Sequence, residues 1–225
     1  MILDVEKEMK QYGTKKFGVS WWKSIISGDR FIAKSGDELY LFLGKLTKKP
    51  IGKTYDEKLY RSLTIESQTN YGAIADKMTD HYIYSSWGRY DLDKAENAMY
   101  LSKTIDGNMT EVLHYVNDWK KWNTYEFTNV KLDNLLDLTD DLVRQQLGTQ
   151  FEDLVKIIDR VDSNEAKIIN YEMTNVLASW ARKNGYNGII APGARGTQNY
   201  ENIIIFEQTY IDQVLKGKTI EKLVK

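Results

Sequence analysis

One long amphipathic helix followed by two short apolar strands constrains the fold more than any other feature of this chain. Between 163 and 184, five apolar residues recur with the spacing of one helix face: Ile169, Met173, Val176, Leu177 and Trp180. Asn184-Gly185 follows and is a typical left-handed helix end. The runs GIIA (188–191) and NIIIFE (202–207) have the length of buried strands, and a polar loop joins them. Short strands between irregular helices predict an α+β fold rather than a regular β–α–β array.

The rest of the chain predicts four further strands and five further helices. The strands are expected at 39–46, 59–66, 98–102 and 124–130, and the helices at 3–12, 70–79, 108–119, 133–148 and 149–159. We expect one structural domain, in which an N-terminal extension of helix and strand (1–58) packs on a core of residues 59–225. The lysine-rich C-terminus is expected to be the solvated face of a helix.

Composition disfavours several classes of protein. The 225 residues suffice for one domain with a real core, and 31 basic against 32 acidic residues argue against a protein that tracks a nucleic-acid duplex. Cysteine is absent and only His81 and His114 are histidines, so thiolate chemistry is excluded and we expect no metal. No apolar run approaches the ~20 residues that span a bilayer. The charged N-terminus is unlike a secretory signal, so we expect a cytoplasmic protein with no membrane partner.

The stretch Gly88–Glu111 is the richest in candidate binding residues. It contains Arg89 in a Gly-Arg-Tyr step, Tyr100 in a short apolar strand and a glutamate that opens a helix, and Arg61 lies upstream in LYRSL. Arginine binds phosphate oxygens through a planar fork, tyrosine can stack on a flat ring, and a carboxylate stabilises a developing positive charge. The set therefore suits an anionic dinucleotide that is broken at a glycosidic bond.

Each of these four residues also has a simpler interpretation. Glu111 completes the pattern Asn108-Met-Thr-Glu111, which is typical of a helix cap. Arg61 could be a salt-bridged residue on a strand face, Arg89 could form a local ion pair, and Tyr100 could belong to the core. The residues alone leave these interpretations open beside the functional ones.

The order of the motifs resembles the RES domain family. The chain carries LYR (59–61), GRY (88–90), AMYLS (98–102), TE (110–111), a helix, GYNGIIAPGARG (185–196) and NIIIFE (202–207). Arg89 to Tyr100 and Tyr100 to Glu111 are each 11 residues apart, as in the family pattern. The resemblance covers residues 59–210. It implies an α+β fold related to the ADP-ribosyltransferases, with a small split sheet of antiparallel and mixed strands and flanking helices.

The resemblance also implies site residues. The implied catalytic residues match the family's two arginines, its tyrosine and its glutamate: Arg61, Arg89, Tyr100 and Glu111. The implied NAD-binding residues are Arg61, Arg89, Tyr90, Tyr100, Ser102, Gly193, Thr197 and Gln198, with His81 as a further candidate donor to phosphate or ribose. The family serine is expected after a proline, where this chain has Pro192-Gly193. Either Thr197, Gln198 or backbone N–H groups of the Gly193–Gly196 loop would have to replace it.

RES proteins degrade NAD⁺, some by phosphorolysis, one relative modifies a protein, and many are toxins with a neutralising partner. The resemblance therefore implies an NAD⁺ glycohydrolase or phosphorylase with NAD⁺ as substrate, acting in the cytoplasm or delivered into a target cell as a toxin. A cognate antitoxin or immunity protein is the implied partner, and residues before 59 could bind it or form a homo-oligomer. Two alternatives remain: an ADP-ribosyltransferase that modifies a protein or nucleic acid, and a non-catalytic binding module, which the missing serine favours.

Overall fold

Six helices lie within the residues that the computed structural model describes, which are 31–64, 89–90, 98–115, 122–155, 164–195, 199–215 and 220–223. The helices are α1 (Gly36–Leu43), α2 (Ile105–Tyr115), α3 (Asp141–Leu147), α4 (Phe151–Val155), α5 (Asn164–Lys183) and α6 (Gln208–Val214). In this part of the chain, no helix has the length and apolar character needed to cross a bilayer. The candidate residues His81, Thr197 and Gln198 and the expected helices 3–12 and 70–79 lie outside the described residues.

Eight strands form one mixed sheet in the order β1-β5-β6-β7-β3-β2-β4-β8. The strands are β1 (Lys53–Tyr55), β2 (Leu59–Thr64), β3 (Met99–Ser102), β4 (Trp122–Phe127), β5 (Leu132–Asp137), β6 (Gly188–Pro192), β7 (Glu201–Ile205) and β8 (Ile220–Leu223). Strands β5 and β6 are parallel and are connected through α3, α4 and α5, whereas the other neighbours are antiparallel. The α+β class is therefore confirmed.

The pairing between β2 and β3 is much shorter than that between β2 and β4. Strand β2 pairs with β4 along its whole length, from Leu59 to Thr64. In the described residues, by contrast, β2 meets β3 through the single pair of Tyr60 and Ser102. The eight strands nevertheless form one continuous sheet, which is larger than the small sheet that was expected.

Two hydrophobic cores cover the two faces of the sheet. The first core includes Leu39 of α1, Leu177 of α5 and Ile204 of β7. The second core lies on the other face and includes Ile203 of β7 and Ile211 of α6. Strand β7 contributes to both cores because successive residues of a strand point to opposite faces. Helix α1 of the N-terminal extension therefore shares the first core with the long helix α5, whereas Tyr55 of β1 belongs to the second core.

The expected strand at 39–46 is wrong, because most of this segment belongs to α1. Ser35 caps the helix, and its hydroxyl accepts a hydrogen bond from the Glu38 amide (3.3 Å). Acidic side chains in the first turn stabilise the helix, because they interact favourably with the positive end of its dipole. Leu39 and Leu43 are four residues apart, so they lie on the same buried face of the helix.

The expected helix at 133–148 is wrong in its first half. Residues Leu132–Asp137 form β5, and α3 begins only at Asp141, where the Asp140 carboxylate accepts a hydrogen bond from the Leu142 amide (2.7 Å). This segment is a strand because it pairs with β1 on one side and β6 on the other. Local propensity does not predict such pairing between distant segments. The C-terminal region likewise contains strand β8 where a helix was expected.

Leu177→Ala should lower the free energy of unfolding by about 2–5 kcal/mol, because it removes buried methyl groups and leaves a cavity. Leu177 is fully enclosed in the first core (0% exposed). The measurement is urea denaturation followed by tryptophan fluorescence. Leu142→Ala in α3 is the matched control, since Leu142 is 73% exposed. Its effect should stay within about 0.5 kcal/mol. Equal losses in both variants would contradict the described packing.

Candidate active site

Glu111 lies inside α2 and does not cap it. The helix begins at Ile105, and the Thr104 hydroxyl accepts a hydrogen bond from the Gly107 amide (3.1 Å), as a helix cap does. The capping interpretation of Asn108-Met-Thr-Glu111 is therefore wrong, because the whole pattern lies within the helix. The carboxylate is available for a contact elsewhere in the fold.

One oxygen of the Glu111 carboxylate is fixed by the hairpin of β6 and β7. The Tyr200 hydroxyl donates to Oε1 (2.6 Å), and the Asn202 side-chain amide donates to the same oxygen (2.9 Å). The Ser102 hydroxyl orients this amide by donating to Oδ1 of Asn202 (2.7 Å). Neither hairpin residue engages Oε2, and Glu111 is half-buried. The carboxylate is thus anchored through one oxygen and can offer the other to a ligand.

The ring of Tyr200 occupies space that two glycines leave open. A Cβ added to Gly193 would lie 2.1 Å from Cε2 of Tyr200, and one added to Gly107 would lie 2.8 Å from Cδ2. A side chain does not fit at either position while the ring is there. The serine that the family pattern expects at 193 is therefore excluded by Tyr200, which itself brings a hydroxyl to Glu111.

The loop that follows β6 is tied to the same tyrosine by two backbone groups. The Gly193 N–H donates to the carbonyl oxygen of Tyr200 (2.7 Å), and the Arg195 N–H donates to its hydroxyl (3.1 Å). The backbone of this loop is therefore held close to the carboxylate site.

A second group of contacts joins Arg89, Tyr90 and Tyr100. The Tyr90 N–H donates to the Tyr100 hydroxyl (2.9 Å), and the Arg89 guanidinium lies over the ring of Tyr171 in α5, 4.8 Å from its centroid. Tyr100 and Ser102 are two residues apart on β3 and therefore share one face of the sheet. The second group thus borders the carboxylate site on that face.

Arg61 lies on the other face of the sheet. Its neighbour Ser62 points toward α2, where its hydroxyl hydrogen-bonds to the side chain of Asn108. Adjacent residues of a strand point to opposite faces, so Arg61 shares the face of Leu59, which belongs to the second core. Arg61 is buried there. The structure therefore does not bring it to the side that carries the carboxylate.

Burial and a neighbouring charge act together on the Tyr200 hydroxyl. Burial raises its pKa, and the charge of Glu111 and the hydrogen bond to that carboxylate raise the pKa further. The phenol therefore stays protonated at neutral pH and remains a hydrogen-bond donor. Burial also raises the pKa of Tyr90, whose ring belongs to the first core.

The polar groups that the fold assembles are hydrogen-bond donors around one carboxylate. Among the described residues, no group of three or more histidine and acidic side chains is arranged to hold a metal ion. A carboxylate anchored in this way is suited to stabilising positive charge on an organic ligand.

Two residues of this site, Tyr200 and Asn202, were missed by the sequence analysis. The signal available for Asn202 was its place in NIIIFE, because a polar residue two positions before Ile204 must share that residue's face. The fit of Tyr200 against Gly193 depends on the pairing within the hairpin and has no local sequence signal.

Gly107→Ala tests the fit of Tyr200 against α2. Alanine normally stabilises a helix relative to glycine by roughly 1 kcal/mol. Here the new methyl would overlap the Tyr200 ring, so we expect the free energy of unfolding to fall by about 1–3 kcal/mol in urea denaturation. In a Tyr200→Ala background the same change should cost nothing. An equal effect in both backgrounds would show that the ring does not fill this space.

Comparison with known proteins identifies one family and one shared fold. In a solved structure of the M. tuberculosis MbcT–MbcA toxin–antitoxin complex, one chain has a TM-score of 0.50 and 15% sequence identity to this protein, and the alignment covers 83% of this chain and 89% of that chain. No match was found among curated proteins. The family model of the RES domain matches residues 58–220, which is well over half of the sequence. The chain therefore belongs to the RES domain family.

Proposed function

We propose that this protein cleaves the bond between nicotinamide and ribose in NAD⁺, as an NAD⁺ glycohydrolase or phosphorylase. The observation that carries the proposal is the placement of Glu111, whose Oε1 is fixed by Tyr200 and Asn202 while Oε2 is engaged by neither. Membership of the RES domain family supports NAD⁺ as the substrate, because the family resemblance implies that activity.

The reaction needs stabilisation of charge more than it needs transfer of a proton. When the bond between ribose C1 and the nicotinamide nitrogen breaks, the electron pair goes to the nitrogen, so nicotinamide leaves as a neutral molecule. Positive charge develops on the ribose ring, and Oε2 of Glu111 stabilises this charge or accepts hydrogen bonds from the ribose hydroxyls. Water or phosphate then attacks C1 and loses a proton. The products are ADP-ribose or its 1″-phosphate.

The second group of contacts offers places for the rest of the dinucleotide. We assign the pyrophosphate to Arg89, because a guanidinium fork pairs with two phosphate oxygens and Tyr171 holds this one in place. The ring of Tyr100 is assigned to the nicotinamide, and the loop that begins at Gly193 contributes backbone N–H groups. Ser102 acts through Asn202. The roles of Arg61, Tyr90, Thr197, Gln198 and His81 rest on the resemblance alone.

The proposed biological role is that of a toxin that a partner protein restrains. Unchecked destruction of NAD⁺ would harm the cell that makes the enzyme, so a cognate antitoxin is expected. The similar chain belongs to a toxin–antitoxin complex, which supports this expectation. We place the activity in the cytoplasm, where NAD⁺ is available.

Glu111→Gln should lower the rate of NAD⁺ loss by roughly 100- to 1000-fold, because the charge that stabilises the ribose cation is removed. The measurement is nicotinamide release from purified protein. Glu207→Gln is the matched control: Glu207 is exposed and its side chain makes no capping hydrogen bond at the start of α6. It should retain the wild-type rate. Normal turnover by Glu111→Gln would refute the proposed role of this carboxylate.

Product identity separates the proposed reactions. Adenine-labelled NAD⁺, with and without phosphate, should yield free ADP-ribose or its 1″-phosphate together with nicotinamide. Label retained on a protein or nucleic acid would indicate an ADP-ribosyltransferase instead. Absence of nicotinamide release by the wild-type protein would favour a non-catalytic binding module.

A further inference from the structure

We infer that Tyr200 is the positioning residue of Glu111 and that its phenol supplies the hydroxyl of this site. The inference rests on the proposed function, because the position of the carboxylate matters for catalysis only if the carboxylate acts on a bound ligand. The contact itself is direct: the Tyr200 hydroxyl lies 2.6 Å from Oε1.

The ring of Tyr200 has little freedom to move the hydroxyl away. Gly107 of α2 and Gly193 after β6 both lie against it, so closely that a methyl group at either position would overlap the ring. The backbone of the tyrosine is fixed as well, since its carbonyl accepts the Gly193 N–H (2.7 Å). A tyrosine also has only two side-chain torsions to restrain. The hydroxyl is therefore aimed before any ligand arrives.

The direction of the hydroxyl proton is also fixed. A phenol carries one hydrogen and can accept through its lone pairs. The Arg195 N–H occupies the accepting side (3.1 Å), so the single proton is directed to Oε1 of Glu111. Because burial raises the pKa of the phenol, this proton is retained at neutral pH. The bond therefore restricts the rotation of the carboxylate.

The consequence for turnover follows from this geometry. With Oε1 held by Tyr200 and by the Asn202 amide, the plane of the carboxylate is set and Oε2 keeps one direction. Loss of the phenol hydroxyl leaves one of the two anchors, and the carboxylate gains freedom to rotate. Substrate affinity should change less than turnover, because Arg89 lies in a separate group of contacts.

The test compares Tyr200→Phe with wild-type protein in NAD⁺ turnover. The variant keeps the ring between its two glycines and loses only the hydroxyl. We expect kcat to fall roughly tenfold to a hundredfold, as the loss of a hydrogen bond to a charged group can cause, with KM changed less than about threefold. Urea denaturation of both proteins verifies that the variant is folded.

Tyr210→Phe is the matched control. The Tyr210 hydroxyl also donates to a carboxylate, that of Asp133 (2.7 Å), and also accepts a backbone N–H, from Asp133 (2.7 Å). It joins α6 to β5, away from the carboxylate site. The two variants therefore lose the same chemical contacts in different places. Tyr210→Phe should keep the wild-type kcat even if it loses stability.

The possible outcomes are distinct. A fall in kcat for Tyr200→Phe alone, with KM retained, supports the inference. If Tyr200→Phe keeps the wild-type kcat, or if Tyr210→Phe loses kcat to the same extent, the positioning role is overturned while the proposed function stands. If wild-type protein releases no nicotinamide, both the proposed function and this inference fail.

Discussion

The contact between Glu111 and the β6–β7 hairpin is the interaction on which the site depends. It joins helix α2, which packs on β2 and β3, to the hairpin of β6 and β7, and it does so through one carboxylate oxygen with two donors. A carboxylate held in this way resists rotation, because both donors hold the same oxygen. Helix α2, strand β3 and the hairpin are thereby fixed relative to one another.

The two faces of the sheet differ in the residues that they carry. On one face, Arg89 and Tyr100 border the carboxylate site, and their contacts with Tyr171 and Tyr90 give each a defined position. On the other face lies a largely apolar core, in which Arg61 is buried. Burial of a guanidinium costs free energy unless the charge is paired and hydrogen-bonded. Arg61 therefore requires such partners in the fold whether or not it touches a ligand. Two arginines that look equivalent in the sequence therefore have different environments in the fold.

The sequence predicted the parts of the fold that local patterns encode. The helix expected at 163–184 and the strands expected at 59–66, 98–102, 124–130, 188–191 and 202–207 each correspond to a helix or strand among the described residues, although several ends differ. The failures have one physical cause: α1 and β5 depend on a cap or on pairing with distant strands, and apolar runs alone do not distinguish helix from strand. For the site, the resemblance to the RES domain family implied Arg89, Tyr100 and Glu111, and the structure shows their surroundings. The role of Tyr200 could not be predicted from the sequence, because it arises from a close approach between segments that are distant in the chain.

The packing of Tyr200 has a consequence for how such a site can change over time. The ring and a side chain at 193 compete for one volume, so either can be present but not both. A lineage could exchange a loop hydroxyl for an aromatic one only by passing through a form that has neither, or by accepting a transient steric conflict. Covariation between these two positions among relatives would therefore record a substitution that had to occur in pairs.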